Sequence, residues 1–198
     1  MPDRASCGGS EKKSGPTISC KPSSDKTYIG SITSMEIFWS GFSPPIMFTI
    51  DWGDGSSETH MSPFGSGSRK YLHRYTLSGE FEIKVIAREY SGVEKATSTK
   101  ISIVPPPTAT LEINPRSGAA PLTIKLSASV KNGIDPIDWI LDLGDGSTPL
   151  TGSGRNISAS HTYYSPGKYA VTLEAQDKSG KSAQAVAEVV VEAQEKKD

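Results

Sequence analysis

The 198-residue sequence predicts an all-β chain folded as two tandem β-sandwich domains. Three observations carry that reading. First, Ile50-Asp51-Trp52-Gly53-Asp54-Gly55-Ser56 returns as Leu141-Asp142-Leu143-Gly144-Asp145-Gly146-Ser147. A second block returns with it: His73-Arg74-Tyr75, Gly79 and Ser91-Gly92 become His161-Thr162-Tyr163, Gly167 and Ser179-Gly180. An internal repeat fixes the domain plan, and a unit of roughly 90 residues buries a core without staples. Second, apolar and polar residues alternate in short runs punctuated by Gly, Pro, Asn and Asp, as half-buried strands require. Third, no stretch carries a sustained apolar stripe of helical period, and an α/β enzyme would need helical crossovers.

The elements follow in order. Residues 1–15 are a polar arm with no apolar core, so they do not form an intact secretory signal. Thr17-Ile18-Ser19-Cys20-Lys21-Pro22 opens the first domain and aligns with Thr110-Leu111-Glu112-Ile113-Asn114-Pro115. Met35, Ile37 and Trp39 are then matched to Leu122, Ile124 and Leu126, which leaves 23–33 as an insertion in the first copy. The second copy has a longer loop around 131–136. Phe81-Glu82-Ile83-Lys84-Val85 and Tyr169-Ala170-Val171-Thr172-Leu173 alternate with period two. Closing strands follow at 99–104 and 187–191. Pro105-Pro106-Pro107 reads as a stiff connector. The expected plan is an arm at 1–15, domains at 16–104 and 108–193 around the 105–107 linker, and a charged tail at 194–198.

Composition excludes several classes. Lys and Arg total 21 against 22 Asp and Glu, so no field of one sign attracts nucleic acid or acidic lipid. No run approaches the ~18 apolar residues of a membrane helix. No Gly-x-Ser-x-Gly elbow, phosphate-binding loop or metalloprotease motif is present, so no enzyme is expected.

The second copy carries a more specific pattern. Gly118-Ala119-Ala120-Pro121-Leu122-Thr123-Ile124 precedes the Gly-Asp-Gly motif, and His161-Thr162-Tyr163-Tyr164-Ser165-Pro166-Gly167-Lys168-Tyr169 follows it. This order resembles the PKD (polycystic kidney disease) domain, an immunoglobulin-like β-sandwich. The first copy keeps the Gly-Asp-Gly and His-x-Tyr blocks but lacks the Ala-Pro-Leu-Thr opening. Ile50 and Leu141 stand where the family commonly has Trp, with Trp52, Phe48 and Trp139 as sources of aromatic bulk. The resemblance implies a non-catalytic module of extracellular and surface proteins, used for protein or glycan contacts and as a spacer.

Candidate site residues are weighed on that frame. Asp54 and Asp145 suit tight turns, where Asp caps backbone and Gly supplies positive φ. Calcium is the alternative, at Asp142 and Asp145, with Asp135 and Asp138 nearby in sequence. Otherwise no cofactor is expected. His73 and His161 lack a second His or Cys at ligand spacing, which points to local structural pairing. Tyr75 and Tyr163 resemble the corner tyrosines of immunoglobulin-like folds. Cys20 reads as a small core residue; a bridge to Cys7 and lipidation of Cys7 are the alternatives. Asn156-Ile157-Ser158 fits a glycosylation sequon. Phe64, Arg69 and Lys70, on a Gly- and Ser-rich loop at 60–70, are the ligand-binding candidates.

The expected function is a non-catalytic structural or binding protein displayed on a surface. Its site is a cell envelope or a virion, and its partners are proteins or glycans. Met1 and the charged ending lean toward a complete short protein whose arm anchors it in a larger assembly. The alternative is an accessory, polymer-binding fragment of a secreted hydrolase.

Overall fold

The structure, a computed structural model, describes residues 15–194. The arm, the Cys7 alternatives and the end of the charged tail lie outside the described residues. Sixteen strands are described. The first eight are β1 (Thr17–Pro22), β2 (Lys26–Tyr28), β3 (Ile32–Ser40), β4 (Ile46–Asp51), β5 (Ser57–Ser62), β6 (Gly67–Arg74), β7 (Gly79–Glu89) and β8 (Glu94–Val104). The second eight are β9 (Thr108–Asn114), β10 (Ser117–Ala119), β11 (Leu122–Lys131), β12 (Ile137–Asp142), β13 (Leu150–Ser153), β14 (Asn156–Tyr163), β15 (Gly167–Asp177) and β16 (Ser182–Glu192).

Each set folds as an immunoglobulin-like sandwich. In the first, the sheets run β1-β3-β6 and β2-β8-β7-β4-β5; in the second, β9-β11-β14 and β10-β16-β15-β12-β13. Every strand of the second set thus occupies the place of the strand numbered eight lower. By compactness the chain divides into two units. One holds Ile32–Tyr75, Glu80–Ser102 and the residues up to Asp25; the other holds Lys26–Ser31, Thr76–Gly79 and the residues from Ile103.

Strand alternation builds both cores. Ile46, Phe48 and Ile50 on β4 face inward with Met35, Ile37, Ile83 and Val85. In the second sandwich Leu141, Ile124, Leu126, Val171, Leu173 and Val189 do the same. Each such side chain contributes about 1.5–3 kcal/mol by leaving water.

The pairing register corrects the sequence alignment at the front of each copy. His73 lies opposite Thr33, and His161 lies opposite Ile124. Matching the histidines therefore sets Met35 against Leu126, Ile37 against Ala128 and Trp39 against Val130, four residues from the expected match. Alternating strands look alike at every even shift, so composition cannot fix register where pairing does. The supposed insertion at 23–33 disappears with this correction. It carries β2, which flanks β8 as β10 flanks β16. Cys20, opposite Ile37, takes the place of Leu111 rather than Ile113. It is a free, half-buried thiol whose pKa is raised by burial.

Candidate functional site

The repeated motifs meet in space at the end of β4 and of β12. Asp51 Oδ1 accepts the Gly53 N–H at 2.9 Å, and Asp54 Oδ1 accepts the Ser56 N–H at 3.0 Å. Asp142 and Asp145 repeat both bonds, at 2.9 and 3.0 Å, to Gly144 and Ser147. Gly53 and Gly144 have φ of 79° and 77°. A Cβ there would also lie 2.6 Å from the Glu82 carbonyl oxygen or 2.5 Å from that of Ala170. Two independent reasons thus require glycine at the first Gly of the motif.

The second oxygen of each turn aspartate meets the histidine of the other block. Asp54 Oδ2 and His73 Nε2 are 2.7 Å apart, as are Asp145 Oδ2 and His161 Nε2. Two residues on, Tyr75 donates its hydroxyl to the Trp52 carbonyl at 3.0 Å, and Tyr163 donates to that of Leu143 at 2.8 Å. Each His-x-Tyr block therefore ties β6 or β14 across the sandwich to the turn. Aromatic packing completes the corner. His73 stacks on Trp52 at 4.6 Å between ring centroids, and Tyr163 stacks on Tyr169 at 4.3 Å.

The electrostatics suit a structural tie. Hydrogen bonding by Ser147, reinforced by His161, holds the Asp145 carboxyl down at about 2 against the opposing effect of burial. Burial works to raise Asp54, yet bonds from Ser56 and His73 hold it below the usual carboxylate range. Burial, then the Asp145 charge, pushes the Tyr163 phenol up to about 12, and Tyr75 moves the same way. Both phenols stay protonated and donate. A hydrolytic triad places Asp and Ser on opposite nitrogens of the imidazole. Here Ser56 Oγ approaches His73 Nε2 at 3.5 Å, the same nitrogen that meets Asp54, and its hydroxyl donates to Asp54 at 2.5 Å.

The acidic set considered for calcium is not gathered at one point. Asp135 pairs with Arg155 at 2.9 Å, and Asp138 accepts from Ser153. Asp142 caps Gly144, and both oxygens of Asp145 face nitrogen partners. Among the described residues no group of three or more His, Cys, Asp or Glu side chains is arranged to hold a metal ion.

Sequence reasoning missed a second repeated device. Glu89 and Asp177, 7% and 5% exposed, end β7 and β15. Glu89 accepts from the Ser43 N–H and the Ser91 hydroxyl, both at 2.7 Å. Asp177 accepts from the N–H groups of Ile134, Ser179 and Lys181 at 3.1, 2.9 and 3.1 Å, and from the Ser179 hydroxyl at 2.8 Å. Each carboxylate ties the strand-end turn to the loop before β4 or β12. Backbone donation from Ser43 lowers the Glu89 pKa; for Asp177 such bonds outweigh burial, with the same direction. The signal was present: an acid two residues before each repeated Ser-Gly.

Residues 104–191 match the family model of the PKD domain. That match spans the second sandwich. A PKD domain of an M14-like peptidase from a Thermoplasmatales archaeon is 24% identical, covering 43% of this chain and 95% of its own, with a TM-score of 0.37. The I67–I69 I-band fragment of titin is 14% identical, with a TM-score of 0.63 over 91% of this chain and 66% of the fragment. A structure from a 1.5-MDa bacterial ice-binding adhesin is 12% identical, with a TM-score of 0.51 over the same shares. At these identities the titin and adhesin likenesses establish the tandem immunoglobulin-like fold and nothing finer. No curated protein matches the chain. PKD and related domains are typically extracellular, non-catalytic binding or structural modules. Among the described residues no helix is long and apolar enough to cross a membrane.

Outside the shared frame, the first sandwich departs from the second between β5 and β6. The connection spans 63–66, against 154–155 in the second. Its backbone is tied down throughout. The Phe64 carbonyl accepts from Trp39 Nε1 at 3.0 Å and from the Ser62 hydroxyl at 3.1 Å, and the Phe64 N–H donates to Ser62 Oγ at 3.2 Å. Phe42 N–H donates to the Gly65 carbonyl at 3.1 Å, and Gly41 N–H donates to Ser66 Oγ at 3.2 Å. A Cβ on Gly65 would run into the Phe42 carbonyl. The Phe64 side chain is nonetheless 68% exposed, beside Met61 at 65%.

The binding candidates separate here. Phe64 is on the connection, but Arg69 and Lys70 are on β6, not on a loop; Gly and Ser had disguised the strand. Alternation then parts those two. Arg69 shares the side of Tyr71, over whose ring it sits at 5.4 Å, and joins Phe64 around one hollow. Lys70 turns to the outer face, opposite Glu36, which lies opposite Lys21. Trp39, Met61 and Tyr71 complete the hollow with Phe64 and Arg69, and nothing in the sequence spacing linked them.

Proposed function

We propose that the chain is a surface-displayed binding protein of a cell envelope or virion, and that its first sandwich supplies the partner contact. The shared turn and corner devices serve rigidity. The single observation supporting the reading is the 63–66 segment, specific to the first copy. It fixes its own backbone while holding a large apolar side chain out in water. An aromatic anchor that is already ordered loses little entropy on binding, which is how hot spots gain affinity.

The test is a labelled full-length chain applied to protein and glycan arrays and to insoluble collagen, chitin and cellulose. Binding that F64A removes, with Tm unchanged, is the expected result. Binding to no array member and no polymer, or binding indifferent to F64A, overturns the reading. Retention only by the insoluble polymers favours the accessory-fragment alternative.

A further inference from the structure

The hollow beside the 63–66 segment has a composition that restricts what it takes. Its volume is about 240 Å³, below the roughly 300–1,000 Å³ of small-molecule pockets. That space suits a single side chain. Its lining includes Trp39, Met61, Pro63, Phe64 and Tyr71, together with Arg69, whose guanidinium lies over the Tyr71 ring.

The polar groups around it are mostly committed internally. Ser62 Oγ is engaged by both the N–H and the carbonyl of Phe64. Ser66 Oγ accepts from Gly41, Ser68 Oγ donates to Glu36 at 3.2 Å, and the Trp39 N–H is held by the Phe64 carbonyl. A sugar presents several hydroxyls and needs free partners for each. This wall offers apolar surface and one cation.

Arg69 supplies the charge complement. Among the described residues no carboxylate forms an ion pair with it. Glu58, the nearby acid on β5, is engaged by Trp52 Nε1 at 3.2 Å and by His60 at 2.9 Å. A planar guanidinium held over a tyrosine ring is ordered for bidentate contact with a carboxylate.

We infer that this hollow binds an acidic peptide segment of a partner protein, seating one apolar side chain between Met61 and Phe64 and a neighbouring carboxylate on Arg69. The inference rests on the binding-protein reading above and names its partner class. The second sandwich lacks the site: Ile157 stands in the place of Arg69, Ala159 in that of Tyr71, and Ser153 in that of Met61.

The experiment uses the full chain and short synthetic peptides carrying Glu-Phe, Asp-Leu or Glu-Leu pairs. Matched peptides carry Gln or Asn in place of the acid. Amide shifts in NMR and fluorescence anisotropy are the readouts. Expected are shifts confined to residues around 39–42 and 60–71, and affinity about tenfold weaker for R69Q, for F64A and for the neutral peptides. Salt at about 1 M, where the screening length falls to ~3 Å, should weaken the acidic peptides selectively. Equal binding of acidic and neutral peptides overturns the inference, as do shifts mapping elsewhere or no peptide binding at all. Shifts at the same amides with an oligouronate, and none with peptides, overturn the peptide occupant but leave the binding-protein reading standing. Failure of the array test as well sinks both.

Discussion

The corner at the Gly-Asp-Gly turn and the segment at 63–66 are built from similar parts and serve opposite ends. Both fix backbone with side-chain oxygens and require a glycine against a neighbouring carbonyl. At the corner the functional-looking groups, Asp54 with His73 and Asp145 with His161, spend their hydrogen bonds on one another. At 63–66 the bonds come from serine, the Trp39 indole and backbone atoms, and the side chain of Phe64 is left unspent. Chemistry-bearing residues that satisfy each other are frame; a residue held still without using its side chain is available for contact.

That contrast can be broken most severely at the buried carboxylates. Asp177→Ala strands four donors around one site and should cost about 4 kcal/mol in urea unfolding, and Glu89→Ala, which strands two, should cost less. Equal costs would mean water replaces the lost oxygens in both sandwiches.

Gly144→Ala comes next. It combines a φ of 77° with a collision at the Ala170 carbonyl, and should cost about 3 kcal/mol. Gly146→Ala faces open space at φ 81° and should cost about 1–2. Similar losses at both would show that φ strain, not the close approach, rules the turn.

Acid tests the Asp–His tie. The Asp145 pKa is depressed on folding, so its contribution is present above the unfolded value near ~3.9 and is lost as pH falls toward about 2. Asp145→Asn should remove about 1–2 kcal/mol at neutral pH. It should also flatten the stability profile between about pH 4 and pH 2. An unchanged acid profile would assign the loss to another group. The smallest effect is expected at Phe64→Ala, within about 0.5 kcal/mol by thermal unfolding. A loss several times larger would make Phe64 part of the frame.

The fold was legible because a repeat and a period-two pattern are both properties of the chain read in one dimension. The turn residues were legible too, since Asp and Gly serve local geometry. Register was not: Met35 fits Leu122 or Leu126 equally well until cross-strand pairing decides. The pairing of Asp54 with His73 was hidden for a similar reason, since two strands bring together residues far apart in sequence. Arg69 and Lys70 looked equivalent as neighbours, and only the strand's alternation sends them to opposite faces. The hollow draws on β3, β5 and β6, and no spacing rule joins Trp39 to Phe64.

The anchoring of the 63–66 segment has a consequence for substitution at position 64. Every atom that secures it belongs to backbone, to Ser62, Ser66 or Trp39, or to the Gly65 contact, and none to the side chain at 64. That site can therefore be rewritten by single substitutions without a folding penalty to be repaired elsewhere. An engineer can treat position 64 as an interchangeable tip.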